Sequence, residues 1–292
     1  VFPLDLFVRA DSGYVAIGSV SVTHVSSPTT QSRLWTERIS DCSPLSAQVR
    51  APNLTRVVFS RTVRALFGLF SVGVIACAAP GIASAVPQGP DVSSWQHIDG
   101  TAIDWHAVKA AGHGFAMVKA TEGLDYVNPY FVEDSIVMRT ANVARGAYHY
   151  ADVTLSPELQ GAYYSALVLG INGPGDLPPV LDLEDAKGRS PAEVIDWTHR
   201  YLDTVQTLTG RQPIIYTYPN FWRTAMADTH EFNNYPLWIA DYDDELGPLP
   251  GGWTNWLFWQ FTDRGTIPGI DGRTDINHYS GTPESLRVLA RW

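Results

Sequence analysis

The spacing of its short apolar runs leaves this chain little architectural choice. Eight such runs, rich in β-branched and aromatic residues, fall in residues 86–292: 90–95, 115–120, 146–150, 179–183, 213–218, 237–240, 256–261 and 273–278. Runs of this length bounded by turn residues read as strands. Each of the first five is followed by enough chain for a crossover helix, as parallel pairing requires. The last two connections are different. Residues 242–255 carry Gly247, Pro248, Pro250, Gly251 and Gly252, and residues 262–272 carry Gly265, Pro268 and Gly269. Neither can hold a helix, so the final strands must pair through loops, some of them antiparallel. The expected fold class is α/β: an irregular, TIM-barrel-like β/α barrel of five β/α units followed by three strands lacking crossover helices.

The helical segments carry their own start and stop signals. Asn128-Pro129, Ser156-Pro157 and Ser190-Pro191 each place a capping side chain before a proline at the first helical position. Glu193, three residues after Ser190, completes a capping box. Gly112, Gly170 and Gly210 supply stops. Residues 104–111 and 220–227 add two more helices.

The N-terminal third is of another kind. Residues 1–85 hold 7 Lys and Arg against 4 Asp and Glu, whereas residues 86–292 hold 13 against 26. Residues 1–50 show no sustained period and read as a non-native or disordered leader. Residues 51–85 read as a signal peptide: Arg56, Arg61 and Arg64, then the apolar run 65–76, then Ala83-Ser84-Ala85 as a small-residue cleavage site. The expected product is secreted, to the medium or the cell wall, with residues 86–292 as its catalytic barrel. Val74-Ile75-Ala76-Cys77 also resembles a lipoprotein box, so a lipid at Cys77 is the one route to a stable membrane partner. Cys42 and Cys77 are the two cysteines, which leaves the body without a thiolate metal site or a disulfide framework. An acidic body also argues against nucleic acid, because binding phosphates requires a basic face.

In a barrel of this kind, the C-terminal strand ends line the active site. In chain order they offer Asp91 with Ser93 and Trp95, Lys119 with Glu122, Tyr148-His149-Tyr150, Asp182-Leu183-Glu184, Tyr216 and Tyr218, Asp241, Trp259-Gln260, and Asp275 with Asn277. The rim is carboxylates among aromatics. Strand alternation puts Asp182 and Glu184 on one face with Leu183 on the other. Two close carboxylates in a partly apolar site repel, so one keeps its proton near neutral pH. A glycosidic oxygen needs such a proton in order to leave, and an ionised partner stabilises the developing oxocarbenium charge. Alone, the D-x-E pattern more often marks a solvated acidic loop; a barrel strand end with Asp91 and Asp275 on other strands reverses that preference. His149 is expected to orient its neighbours by hydrogen bonding, and Trp105 and Trp197 to serve packing. No His or carboxylate set has metal-ligand spacing, so neither a metal nor another cofactor is expected.

These residues carry a resemblance. Asp91-Val92-Ser93-Ser94-Trp95-Gln96, Val118-Lys119-Ala120-Thr121-Glu122-Gly123, Gly146-Ala147-Tyr148-His149-Tyr150, Leu181-Asp182-Leu183-Glu184, Ile215-Tyr216-Thr217, Leu237-Trp238-Ile239-Ala240, Trp259-Gln260 and Asp275-Ile276-Asn277 follow in order with matching spacing. Together they resemble the glycoside hydrolase family 25 lysozymes. The resemblance implies cleavage of the β-1,4 bond between N-acetylmuramic acid and N-acetylglucosamine in peptidoglycan, by a monomer whose partner is the glycan strand. It implies Glu184 as general acid, with Asp91, Asp182 and Asp275 as the other active-site carboxylates. Lys119, Glu122, Tyr148, Tyr216, Tyr218 and Trp259 would lie along the sugar groove. An inactive glycan-binding barrel and a hydrolase of another N-acetylated polymer such as chitin would share these aromatics. Intact carboxylates oppose the first, and Pro179-Val180-Leu181, where a longer acidic run would stand, opposes the second.

Overall fold

A computed structural model describes residues 4–10, 13–20 and 86–291. The chain divides into two units, Val1–Gly81 and Ile82–Trp292. In the first, the strands Leu4–Ala10 and Gly13–Val20 pair antiparallel, with a register shift between Leu6 and Phe7. The alternation of Leu4, Leu6 and Val8 is short, and Phe7 interrupts it where the register shifts. The expected signal segment, Cys42 and Cys77 lie outside the described residues. Among the described residues, no helix is long and apolar enough to cross a membrane.

The second unit holds eight principal strands: β1 Gln88–Val92, β2 Phe115–Glu122, β3 Ala144–Tyr150, β4 Val180–Asp182, β5 Ile214–Thr217, β6 Leu237–Ala240, β7 Phe258–Gly265 and β8 Thr274–Tyr279. Neighbours pair in chain order, and β1 also pairs with β2 and β8, which closes the ring. β1 to β7 run parallel, and only β8 is antiparallel to both of its neighbours. Five helices follow the first five strands: α1 Trp105–Ala110, α2 Phe131–Thr140, α3 Pro157–Gly170, α4 Pro191–Thr209 and α5 Pro219–Ala225. Residues 241–257 and 266–273 contain no helix, as their Gly/Pro content dictates. β6 and β7 are nonetheless parallel, so a loop alone makes that crossover.

Local signals explain most boundaries. Ser190 accepts from the Glu193 N–H while Glu193 returns to the Ser190 N–H, and Gly210 ends α4 in the left-handed region at φ 66°. Ser156 caps α3 by accepting from the Leu159 N–H. Asn128 departs from expectation: α2 starts only at Phe131 and has no side-chain cap. The Asn128 amide is occupied elsewhere, donating to the Lys119 carbonyl at 2.8 Å and accepting from the Tyr130 N–H at 3.1 Å. β1 also stops short of residue 95, because Ser93 caps a 3₁₀ turn over Ser94–Gln96 and Gln96 reaches back to its backbone. A further helix, α6 Pro283–Leu289, follows β8 behind a Thr282 cap.

Alternation sorts the strand residues into two cores. Ala116, Val118 and Ala120 of β2, Leu181 and Leu183, Ile215, and Leu237 and Ile239 face outward, where Trp105, Tyr164, Trp197, Tyr201 and Trp222 of the helices cover them. The opposite face of the same strands points into the barrel. At its N-terminal end Phe115, Met117, Val180, Ile214 and Phe258 pack with Leu286 of α6 and with Ala290 just after it. Two residues further along, the same inward rows turn polar: Lys119 after Met117, Asp182 after Val180, Tyr216 after Ile214, Gln260 after Phe258. An apolar plug at one end and a polar mouth at the other place the site.

Candidate active site

A cleft opens at that mouth, lined by all four expected carboxylates, Asp91, Asp182, Glu184 and Asp275, together with Lys119, Tyr148 and Tyr216. β8 brings Asp275 there in a way not foreseen. Because the strand runs against the others, Asp275 sits at its beginning, directly opposite Asp91 in register. Asp91 is buried and its Oδ2 accepts from Asn277 Nδ2 at 2.8 Å and Gln260 Nε2 at 2.9 Å. Burial raises the proton affinity of Asp91, and these amide donors work against the rise. Asp275 is pushed up to about 8 by burial first, then by the Asp91 charge and a hydrogen bond with it. Two adjacent carboxylates of raised proton affinity favour one shared proton near neutral pH.

The second pair behaves alike for its own reasons. Asp182 ends β4, and Leu183 still donates its N–H to the Tyr216 carbonyl at 3.0 Å, so Glu184 stands just beyond the strand. Asp182 is raised well above its ordinary value, first by burial and then by the Glu184 charge. Its Oδ1 is buried without a hydrogen-bond partner. Glu184 is raised too, chiefly by burial, with the Asp91 and Asp185 charges adding to it. Lys119 and a hydrogen bond from Tyr150 pull Glu184 back. The Lys119 ammonium pairs with Glu122 at 2.6 Å and lies 4.8 Å from the Tyr150 ring centroid and 5.4 Å from that of Tyr126.

The remaining expected residues stand beside the cleft rather than in its lining. Glu122 reaches it through Lys119, and the Tyr218 hydroxyl donates to the Glu184 carbonyl at 3.4 Å. Trp259 stands apart from that lining: the alternation that turns Gln260 inward sends Trp259 outward, where its Nε1 donates to the Asp241 carbonyl at 2.7 Å. Counting by twos from Phe258 would have selected Gln260. Also missing from our expected site set were Tyr150 and Trp238 in the lining and Tyr242, whose hydroxyl donates to Gln260 Oε1 at 2.7 Å. His149 is buried on the outer side, with Nδ1 2.8 Å from Thr121 Oγ1 and Nε2 3.0 Å from Gln160 Oε1. Burial lowers it to about 4, so it is a neutral orienting group. Among the described residues, no cluster of three His, Cys, Asp or Glu could hold a metal ion.

A β/α barrel with converging carboxylates of raised proton affinity at one mouth defines the class, a glycoside hydrolase. Residues 90–270 match the model of glycosyl hydrolases family 25, and the chain belongs to that family. Among its relatives are Lysozyme M1 of Streptomyces globisporus, 33% identical over 70% of this chain and 71% of that protein. Another is an N,O-diacetylmuramidase of Chalaropsis sp., 32% identical over 70% of this chain and 98% of that protein. A crystal structure of a lysozyme from Streptomyces coelicolor superimposes with a TM-score of 0.64 at 31% identity, covering 70% of this chain and 97% of that one.

Proposed function

We propose that this chain is an exported lysozyme that hydrolyses the β-1,4 bond between N-acetylmuramic acid and N-acetylglucosamine in peptidoglycan. The names of its relatives point to this substrate, and one observation carries the mechanism: the unpartnered, buried Oδ1 of Asp182 beside Glu184. In this reading the Asp182 carboxylate accepts the N–H of the substrate's 2-acetamido group. That donor stabilises the ionised form of Asp182, so the proton the pair retains passes to Glu184. The acetamido oxygen then bonds to C1 as the C1–O glycosidic bond breaks, and Glu184 gives its proton to the leaving oxygen. Water opens the cyclic intermediate at C1 and returns a proton to Glu184. Asp91 and Asp275 position and tune Glu184, and Lys119 supplies the cation that keeps the cluster from excessive repulsion. Export rests on the pattern running from Arg56 to Ala85.

The test is initial turbidity clearing of purified bacterial walls by residues 86–292, with chitin as control and mass analysis of the released fragments. Clearing of walls alone, with N-acetylmuramic acid at the new reducing ends, is the expected result. N-acetylglucosamine at those ends, or clearing of chitin alone, overturns the bond assignment. Wall binding without any release overturns the enzymatic one.

A further inference from the structure

Around the Asp91–Asp275 pair lies a layer of buried groups that have little freedom in how they face. Trp238 Nε1 donates to Asn277 Oδ1 at 2.7 Å. An indole N–H only donates, so the oxygen of the Asn277 amide must face it and the NH₂ must face away. That NH₂ meets the Gly89 carbonyl at 3.2 Å and Asp91 Oδ2 at 2.8 Å. A second amide arrives from β7. Gln260 Oε1 accepts from the Tyr216 and Tyr242 hydroxyls at 2.9 and 2.7 Å. Its Nε2 donates to Asp91 Oδ2 at 2.9 Å and, more weakly, to Asp275 Oδ2 at 3.5 Å. Both amides, Trp238 and Thr274 are buried. The Thr274 hydroxyl donates to the Asp91 carbonyl at 3.0 Å, which holds the strand that bears the acid.

We infer that Trp238, Asn277 and Gln260 are positioning residues: a donor-only indole fixes the Asn277 amide, and two amide donors hold Asp91 as the anion and leave the pair's proton on Asp275. Two N–H donors on one carboxylate oxygen leave no lone-pair direction there for a proton, whereas Asp275 Oδ2 receives only the long contact from Gln260. The relay extends the proposed hydrolase function, on which it depends only for its kinetic consequence. That consequence is a fixed charge at Asp91, which raises the proton affinity of Glu184. The other groups facing the pair are Glu184 and Asp182 beyond and on β4, Lys119 on β2 and Asp263 on β7. Tyr148 on β3, Tyr216 on β5 and Tyr242 after β6 face it as well, and burial keeps these phenols neutral. None of these supplies an N–H to Asp91, so the two amides have no substitute.

The experiment compares Trp238→Phe, Asn277→Leu and Gln260→Met with the wild-type protein, using residues 82–292, the unit that holds the whole barrel. Two readouts are taken: carbon-13 NMR titration of the aspartate carboxyls without substrate, and the pH–rate profile of wall clearing. In the wild type, Asp91 should titrate well below Asp275. A hydrogen bond to a charged group is worth about 1.5–3 kcal/mol, so Asn277→Leu should move the Asp91 titration and the acid limb of the profile upward by about 1–2 pH units. Trp238→Phe keeps the amide but frees it to turn, and should move both in the same direction by less. Loss of packing alone would lower the rate and leave both titrations in place. That result, or a wild-type Asp91 that titrates above Asp275, overturns the relay. If Asn277→Leu fails to fold, Trp238→Phe and Gln260→Met decide. A wild-type protein that clears no walls but shows the titration order and its shifts would refute the lysozyme reading and keep the relay.

Discussion

Replacing Glu184 by Gln is the most direct perturbation of the proposed chemistry. The amide is nearly isosteric and cannot donate a proton to a leaving oxygen. General acid catalysis is typically worth about 10²–10⁴-fold, or about 2.7–5.5 kcal/mol on the barrier. The structure also indicates what the substitution does to the fold. Glu184 ionises against burial and against the charges of Asp91 and Asp185, with only Lys119 and the Tyr150 hydroxyl in its favour. A neutral amide removes that opposition, so the variant should melt at or above the wild-type temperature at pH 7. The assay is the initial rate of wall clearing at matched folding, with sedimentation of the protein on insoluble walls as the measure of binding. Binding should persist while the rate falls by at least about a hundredfold. A variant that kept more than about a tenth of the wild-type rate would show that Glu184 is not the acid. Asp275, which holds its proton to about 8, would then be the candidate.

Three further outcomes follow from the same structure. Asp275 is raised from 3.8 to about 8, so the folded state keeps a proton that the unfolded chain sheds. Its contribution to stability is full below about pH 4 and is lost as pH rises through about 8; thermal melts of Asp275→Asn across that window should show a flatter pH dependence than the wild type. Trp222 is fully buried, donates to the Thr229 carbonyl at 3.0 Å and packs edge-on against Phe232 and Trp253. Trp222→Ala should cost about 3–5 kcal/mol in denaturant unfolding. If the protein is exported by the pattern ending at Ala85, mass analysis of the secreted form should find an N-terminus at or near Val86; a product that retains Val1 would refute that pathway.

The parts legible in the sequence were those written in local chemistry. Pro and Gly in residues 242–255 forbade a helix whatever the tertiary context, and Ser190 with Glu193 wrote a helix start into four residues. Asp182 and Glu184 were visible because both the period of a strand and the chemistry of paired acids pointed to them. What escaped depended on partners distant in sequence. Asn128 carries a cap's side chain but uses it on Lys119. Gln260 matters through Tyr216, Tyr242 and Asp91, none of them near it in the chain. Antiparallel pairing was expected among the last strands without saying which one reverses, so Asp275 was read as a strand's end when it stands at a strand's beginning.

That reversal bears on how the molecule comes into being. Asn277 meets Asp91 across 186 residues of sequence, and the same pairing of β8 with β1 seals the ring. Contacts at such separation carry the largest loop-closure cost and lag behind the β/α units that assemble from near neighbours. Strand four can present Asp182 and Glu184 in a half-formed barrel, but the Asp91–Asp275 pair exists only once the last strand has docked. Ring closure and completion of the acid cluster are thus one event, and the rate at which activity appears during refolding measures the rate at which the barrel shuts.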